Sequence, residues 1–344
     1  METNNKHILV IRLSAMGDVA MSVPVIRALA EQHSDTKITI LSKPFLKPLF
    51  NNINNVNFVS AEVEGKHKGI FGLFKLYKEL KKSNITHIAD LHNVLRSKII
   101  RSLFKFSKTS IAFIDKGRVE KKALTRINNK VFKQLKTSHQ RYADVFEKLG
   151  FTVDITKSIK IIKPKLNSNI LKTTGEKSQT WIGIAPFAAF ASKTYPLDLL
   201  EKVISELCKN KYQLILFGGK NDVLVLEKIA EKYNNIISVA SKLGGLENEI
   251  NLISNLDVML SMDSGNAHFA AMQNVKTVTI WGITHPFAGF SPFNQSKDYC
   301  ILPDLEKYPN IPCSIYGNKV CKGYEDVMRS IPPEKIIKKI ISII

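Results

Sequence analysis

The feature that most constrains this chain is a regular alternation of short apolar runs with longer amphipathic stretches. Apolar runs of strand length recur at residues 7–13, 37–41, 56–60 and 180–185, and stretches with helical periodicity stand between them. Repeated strand–helix units predict parallel sheets covered by helices on both faces. The fold class that we predict is therefore α/β, with doubly wound parallel sheets.

The alternation is interrupted once, in a polar segment that contains Pro164 and Gly175 and is typical of a linker. A length of 344 residues also suits two domains of ordinary size. We predict an N-terminal domain at residues 1–163, a linker at 164–178, a C-terminal domain at 179–331 and a final helix at 332–344. Ligands of such sheets bind beyond the carboxyl ends of the strands, so motifs at strand-to-helix turns are the first candidates for ligand-binding sites.

Several function classes are disfavoured by simple patterns. No apolar run approaches the ~18 residues of a membrane-spanning helix. The first apolar run follows Met-Glu-Thr-Asn-Asn-Lys, which lacks the basic start of a secretory signal, so we expect a cytoplasmic protein. The cysteines match no zinc-site spacing, and we expect them to be reduced. They are Cys208, Cys300, Cys313 and Cys321.

The charge of the chain is strongly positive and unevenly distributed. The net charge is +20, and the stretch from Arg96 to Arg141 carries fourteen basic residues against Asp115 and Glu120, a net +12. Such a local field attracts a polyanion: nucleic acid, phospholipid headgroups or a phosphorylated glycolipid. A solvated basic face without a specific partner is the alternative.

The turn after the first strand offers a candidate general base. Gly17 gives the backbone freedom there, and Asp18 falls in the first turn of the next helix, where free N–H groups stabilise an ionised carboxylate. A carboxylate that only caps the helix is the alternative. Neither G-x-G-x-x-G nor G-x-x-x-x-G-K-[ST] occurs here, so a dinucleotide fingerprint and a P-loop are disfavoured.

A second turn, Asp263-Ser264-Gly265-Asn266-Ala267-His268, follows an apolar strand and predicts an anion site. Ser264 or Asp263 can cap the next helix, and Gly265 lets a ligand approach the free N–H groups, which suit a diphosphate. Asp263 would repel phosphate, so we expect it to accept hydrogen bonds from sugar hydroxyls or from the loop. His268 either contacts the ligand or packs against neighbouring side chains.

Two further turns belong to the same predicted edge. Lys193 stands before a helix and can neutralise a departing diphosphate. The alternative for Lys193 is a solvated lysine without a ligand. Gly218 and Gly219 follow the next strand and permit close contact with a nucleotide, and the alternative for them is a tight turn without a ligand. No carboxylate cluster has the spacing of a magnesium or manganese site, so we expect chemistry without a metal.

Five segments together resemble glycosyltransferase family nine, the lipopolysaccharide heptosyltransferases. They follow one another along nearly the whole chain in the family's order. They are Arg12-Leu13-Ser14-Ala15-Met16-Gly17-Asp18-Val19, Asp90-Leu91-His92-Asn93-Val94-Leu95-Arg96-Ser97, His139-Gln140-Arg141-Tyr142, Lys193-Thr194-Tyr195-Pro196, and Asp263 to His268 followed by Trp281-Gly282-Ile283-Thr284-His285-Pro286.

The resemblance implies the GT-B architecture, in which two Rossmann-like domains face a central cleft. The first domain would bind the acceptor and the second the nucleotide sugar, and transfer would invert the anomeric carbon without a metal. Asp18 matches the family's proposed base and Lys193 its phosphate-binding lysine. Asp263, Ser264, Gly265 and His268 match its donor loop.

We accordingly assign the remaining candidate residues to the two substrates. Gly218, Gly219 and Asn266 join the donor site, and Ser14, Gly17, Arg96 and Arg141 the acceptor site. The expected donor is ADP-linked heptose, and the expected acceptor is an acidic lipid A-core glycolipid at the inner membrane surface; no nucleic acid is expected as a partner. The departures from the family pattern are Phe187, Asn266-Ala267, Ile283 and His285.

Two alternatives remain open at the level of sequence. A nucleotide-sugar epimerase of the same architecture would bind the same donor and would need no lipid acceptor. A basic nucleic-acid-binding protein explains the charge more simply, but it leaves the turns unexplained, and the basic stretch lacks clear aromatic interleaving.

Overall fold

A computed structural model describes residues 6–105, 107–157 and 161–344 of the chain. The chain folds into two compact units. The first comprises Met1–Lys116 and Ser138–Lys160, and the second comprises Gly117–Thr137 and Ile161–Ile344. The first five residues, where a secretory signal would begin, lie outside the described residues.

The first unit is built on a parallel sheet of five strands in the order β3-β2-β1-β4-β5. The strands are β1 (His7–Ile11), β2 (Lys37–Ser42), β3 (Val56–Ser60), β4 (His87–Asp90) and β5 (Ser110–Phe113). The helices up to residue 147 are α1 (Met16–Gln32), α2 (Gly69–Lys81), α3 (Leu95–Leu103), α4 (Arg118–Leu124) and α5 (Ser138–Glu147), of which α4 belongs to the second unit. Ile11 pairs with Asp90, so the turns that follow β1 and β4 are neighbours at the carboxyl edge.

The second unit carries a parallel sheet of six strands in the order β11-β10-β9-β6-β7-β8. The strands are β6 (Thr180–Ala185), β7 (Tyr212–Leu216), β8 (Ile236–Ser238), β9 (Val258–Met262), β10 (Lys276–Ile280) and β11 (Cys300–Ile301). The helices are α6 (Ser168–Thr174), α7 (Leu197–Cys208), α8 (Val223–Ala230), α9 (Leu246–Ser254), α10 (Gly265–Ala271) and α11 (Pro333–Ile343). Ala185 pairs with Ser261, and Met262 pairs with Ile280, which brings three turns together at one edge.

The predicted fold class, α/β with doubly wound parallel sheets, is confirmed. Both central strands, β1 and β9, are buried along their whole length, as expected for strands covered by helices on both faces. Gly150 has a φ of +83°, the left-handed conformation expected after the end of α5. The sequence also predicts a helix at Val94–Phe106, of which Phe106 lies outside the described residues.

The helix after Asp263 begins at Gly265. The segment predicted as a linker contains the short helix α6, whose first turn is capped by the side chain of Asn167, 3.1 Å from the amide of Ile170. One expectation needs correction. Cys313 and Cys321 form a disulfide with their Cα atoms 5.7 Å apart, so the expectation of four reduced cysteines is wrong for this pair. Cys208 and Cys300 are free.

Among the described residues, no helix is both long enough and apolar enough to cross a membrane.

Candidate functional site

The carboxylate of Asp18 is held by a buried arginine. Asp18 lies in the first turn of α1, and its Oδ2 is 2.5 Å from the guanidinium of Arg12. The same oxygen accepts a hydrogen bond from the amide of Ala15 at 3.3 Å. The Arg12 side chain is 7% exposed and that of Asp18 is 32% exposed. The carboxylate is therefore fixed in orientation by its charged partner while part of it still faces solvent.

Arg12 is in turn fixed by neighbours from two other segments. Its guanidinium donates a hydrogen bond to the carbonyl of Leu91 at 2.7 Å and lies 5.9 Å from the centre of the Tyr142 ring. The Tyr142 hydroxyl donates to the backbone carbonyl of Asp18 at 3.3 Å. Three of the segments noted in the sequence thus meet at one place.

Two of the predicted acceptor residues lie in the turn beside Asp18. Ser14 Oγ is 3.5 Å from Nε2 of His92, which follows β4. Burial and the nearby charges of Arg12 and Lys116 lower the pKa of His92 to about 4, so this imidazole is neutral at neutral pH. Gly17 is the second residue of α1 and lies in the helix. The turn before α1 therefore does not depend on the backbone freedom that was predicted for this glycine.

The other two predicted acceptor residues, Arg96 and Arg141, differ in their surroundings. Arg96 is exposed in the first turn of α3. Arg141 is only 6% exposed and donates to the backbone carbonyl of Asp115 at 3.3 Å. Arg96 is therefore available to an anionic ligand, whereas Arg141 supports the loop that follows β5.

Asp90, a carboxylate that is not among the predicted site residues, organises the turn after β4. Asp90 is fully buried and accepts hydrogen bonds from the amides of His92 and Asn93 at 2.9 and 2.7 Å. Arg101 pairs with it at 3.0 Å and lies over the ring of Phe113 at 4.1 Å. Asp90 thereby positions His92.

The basic stretch from Arg96 to Arg141 is not one uniform solvated face. It is divided between the two units, and several of its charges are engaged internally. Lys121 is 8% exposed and lies 4.2 Å from the centre of the Phe290 ring. Lys130 donates to the carbonyl of Asn310 at 2.7 Å, and burial lowers its pKa to about 8. Part of the predicted basic stretch is therefore buried against neutral groups of the second unit and does not form a solvated surface.

In the second unit, Lys193 and Asp263 form an ion pair between two neighbouring strand ends. Their Nζ and Oδ2 atoms are 2.9 Å apart, and both side chains are about nine-tenths buried. Thr284 donates to the same carboxylate oxygen at 2.9 Å. Lys193 is therefore not the solvated lysine of the alternative interpretation. Asp263 serves the loop by holding side chains from the turns after β6 and β10.

The remainder of the donor-loop motif lies at the start of α10. Ser264 precedes the helix, and its Oγ is 3.1 Å from that of Ser261 on β9. Gly265 is the first residue of α10, and Asn266 follows it half-buried. His268 is 7% exposed, so most of its surface packs within the unit. The helix has only seven residues.

The two glycines after β7 have different local roles. A Cβ on Gly218 would lie 2.6 Å from Cδ1 of Leu226 and 3.0 Å from Cβ of Asp222, so packing requires glycine there. At Gly219 the nearest atom to such a Cβ would be Oδ2 of Asp222 at 3.5 Å. The Gly219 amide donates to that carboxylate at 2.8 Å. The tight turn is thus closed by Asp222, and only Gly219 leaves room for a ligand.

The departures from the family pattern are mainly packed side chains. Ile283 and Ala267 are buried, and Phe187 packs against the core of the second unit. His285 is 2% exposed, and its Nδ1 accepts the amide of Phe287 at 3.1 Å. Burial and Lys130 lower the pKa of His285 to about 4.

Within the part of the chain that the structure describes, no group of three or more His, Cys, Asp and Glu side chains is arranged to hold a metal ion.

Comparison with known proteins gives one consistent result. Residues 73–315 match the model of glycosyltransferase family 9 (heptosyltransferase). The lipopolysaccharide core heptosyltransferase OpsX of Haemophilus influenzae is 24% identical over 300 residues, which cover 84% of this chain and 82% of that protein. A family 9 glycosyltransferase structure from Veillonella parvula aligns with a TM-score of 0.76 at 20% identity, covering 100% of this chain and 98% of the other. The E. coli ADP-heptose lps heptosyltransferase II structure aligns with a TM-score of 0.67 at 17% identity, with 98% of each chain covered.

Proposed function

Since the chain belongs to glycosyltransferase family 9, we propose that it transfers heptose from ADP-heptose to an acidic glycolipid of the lipopolysaccharide core. Family membership favours transfer over the epimerase and nucleic-acid-binding alternatives. The observation that carries the proposal is the buried pair of Lys193 and Asp263 at the strand ends of the second unit. A lysine fixed there has two further N–H donors to offer to a diphosphate.

In the proposed mechanism, Asp18 accepts the proton of an acceptor hydroxyl as its oxygen attacks the anomeric carbon. The bond between that carbon and the diphosphate oxygen breaks, and its electron pair leaves with ADP. Attack opposite to the leaving group inverts the anomeric configuration. Arg12 keeps the Asp18 carboxylate oriented, and His92, neutral beside Ser14, adds no positive charge of its own to this side of the reaction.

Negative charge grows on the departing diphosphate, and we propose that Lys193 stabilises it together with the N–H groups at Gly265 and Asn266. Because α10 is short, its dipole contributes little, and most of the stabilisation comes from the lysine and the N–H groups. Gly219 offers room for the nucleoside. Transfer proceeds without a metal ion in this proposal, since Lys193 supplies the charge.

The acceptor side rests on the first unit. Ser14 and the exposed Arg96 stand at the carboxyl edge that also bears Asp18, and a guanidinium there suits a phosphorylated sugar. An acceptor of this kind is anchored in lipid, so we propose that the chain works at the cytoplasmic surface of the inner membrane.

A thermal-shift panel of nucleoside diphosphates in EDTA tests the donor assignment. ADP should raise the Tm more than UDP, GDP or CDP, because a ligand at about 100-fold its Kd stabilises the native state by roughly 2.7 kcal/mol. Lys193→Met should lose this shift, and the control Lys209→Met, at an exposed position, should keep it. A preference for another nucleotide, or an effect that depends on a divalent metal, would contradict the assignment.

A further inference from the structure

Exposed large apolar side chains in the first unit are concentrated at one edge. Such side chains are usually scattered singly over a protein surface, and a cluster marks an interaction site. Among the described residues of this unit, every exposed large apolar side chain lies at the carboxyl end of a strand or in the segment that follows it. They are Met16, Phe45, Ile70, Phe71, Phe74, Leu95 and Phe113.

The most exposed of them lie in the first two turns of α2, and we call Ile70, Phe71 and Phe74 the aromatic tip. Phe71 is 93% exposed, Ile70 71% and Phe74 44%. The opposite face of α2 is buried through Leu73, Leu76 and Leu80. The helix is therefore already anchored in the core, and the aromatic tip is a second apolar surface that the unit itself does not cover.

The surroundings of the aromatic tip are basic. Lys68 and Lys75 are exposed beside it, and Lys78 Nζ lies 4.9 Å from the centre of the Phe74 ring. Of the nearby carboxylates, Glu62 and Glu79 lie 3.3 and 3.9 Å from the ammonium group of Lys66, and Glu64 lies 2.6 Å from that of Lys43. Aromatic and aliphatic side chains ringed by lysines suit the headgroup region of an anionic bilayer.

We propose that the aromatic tip inserts into the interface of an anionic lipid membrane and that Lys68 and Lys75 bind the lipid phosphates. A bilayer is favoured over a protein partner because the aromatic tip shares the carboxyl edge with Asp18, and, on the function proposed above, a lipid-anchored acceptor must reach that carboxylate. Docking through this edge presents the acceptor side of the unit to the membrane.

Co-sedimentation of the full chain with lipid vesicles tests the proposal without donor or acceptor. The wild type should bind phosphatidylglycerol–phosphatidylethanolamine vesicles more tightly than pure phosphatidylcholine vesicles, and less so at high salt. The double variant Ile70→Gln/Phe71→Gln should lose at least about tenfold in affinity for the anionic vesicles. Leu224→Gln changes a side chain that is 77% exposed in the second unit and should bind like the wild type.

A fluorescence variant guards against loss of fold in the double variant. Both native tryptophans, Trp181 and Trp281, are 1% exposed, so Phe71→Trp adds the one solvent-facing indole in the described residues. Its emission should shift to the blue on binding anionic vesicles and should be quenched by brominated lipid. Unchanged vesicle binding in the double variant, or an indole that no bromolipid quenches, overturns the proposal.

The outcomes separate this inference from the proposed function. If the wild type binds neither kind of vesicle, the inference is wrong, even when the chain transfers heptose. If vesicle binding behaves as expected and heptose transfer fails, the proposed function is wrong and the membrane-docking surface stands on its own measurement.

Discussion

At the residue scale, Asp18 is the group on which the chemistry depends most. Asp18→Asn keeps the side chain's size and its hydrogen-bonding oxygen but removes the base, so kcat should fall by about 10²–10⁴-fold. ADP affinity, measured by calorimetry, should change little. The matched control Asp35→Asn alters an exposed carboxylate of the same unit and should leave kcat unchanged. A fully active Asp18→Asn enzyme would exclude this residue as the base.

The buried pair of Lys193 and Asp263 predicts a coupling between stability and donor binding. Lys193→Met removes one partner and leaves a nearly buried carboxylate without its charge partner, which typically costs roughly 3–5 kcal/mol in stability. Adding Asp263→Asn should restore most of the free energy of unfolding in urea titrations and should leave ADP binding impaired. If the double variant is no more stable than Lys193→Met, the pair does not act as a unit.

Buried neutral histidines predict a loss of stability in mild acid. His285 has a pKa of about 4 in the folded chain because of burial and Lys130, against 6.5 when unfolded. The unfolded chain therefore binds more protons between these values, and stability falls as the pH drops from about 6.5 towards 4. His285→Asn keeps an oxygen that can accept the Phe287 amide but cannot titrate.

Urea unfolding at pH 7 and pH 5 measures this effect. The wild type should lose roughly 2 kcal/mol more than His285→Asn over that interval. The control Leu224→Gln, which changes an exposed side chain of the same unit that does not titrate, should lose as much as the wild type. An equal loss in wild type and His285→Asn would show that this histidine is not held neutral.

The sequence led to most of the candidate residues but not to their partners. Arg12 lies inside the first apolar run, and a charged residue that is buried there needs a partner of opposite charge. This pattern could have predicted that Arg12 pairs with a nearby carboxylate. The pairing of Lys193 with Asp263 could not be read from spacing, because it depends on which turns become neighbours in the sheet.

At the element scale, strands were easier to predict than the pieces between them. β3 and β6 have the predicted bounds. For β6 the reason is that a buried parallel strand is a nearly continuous apolar run, whereas β3 is a partly exposed edge strand. The helix α4 and the two-residue strand β11 were not predicted, because α4 is short and basic and β11 is too brief to show a period.

The turn after β7 yields a prediction at this scale. Gly218→Ala should lower the free energy of unfolding by roughly 1–3 kcal/mol, because its Cβ would collide with Leu226 and Asp222. Gly219→Ala should be nearly neutral in urea titrations. If the turn binds the nucleoside, Gly219→Ala should nevertheless weaken ADP binding, and unchanged affinity would restrict this turn to a structural role.

At the scale of the whole molecule, each parallel sheet collects chemistry at its own carboxyl edge. The first unit gathers Asp18, His92 and the aromatic tip, and the second gathers Lys193, Asp263 and Gly265. The predicted domain limits of 1–163 and 179–331 stay a prediction. The two compact units differ from these predicted limits, because Gly117–Thr137 belongs to the second unit.

One measurement tests the central claim directly. Purified enzyme is incubated with ADP-heptose and an acidic core glycolipid in EDTA, and the glycolipid is analysed by mass spectrometry and by NMR of the new anomeric centre. The account predicts one added heptose, inverted relative to the donor, with wild type and almost none with Asp18→Asn. A retained configuration, a requirement for a divalent metal, or an epimerised donor formed without acceptor would contradict it.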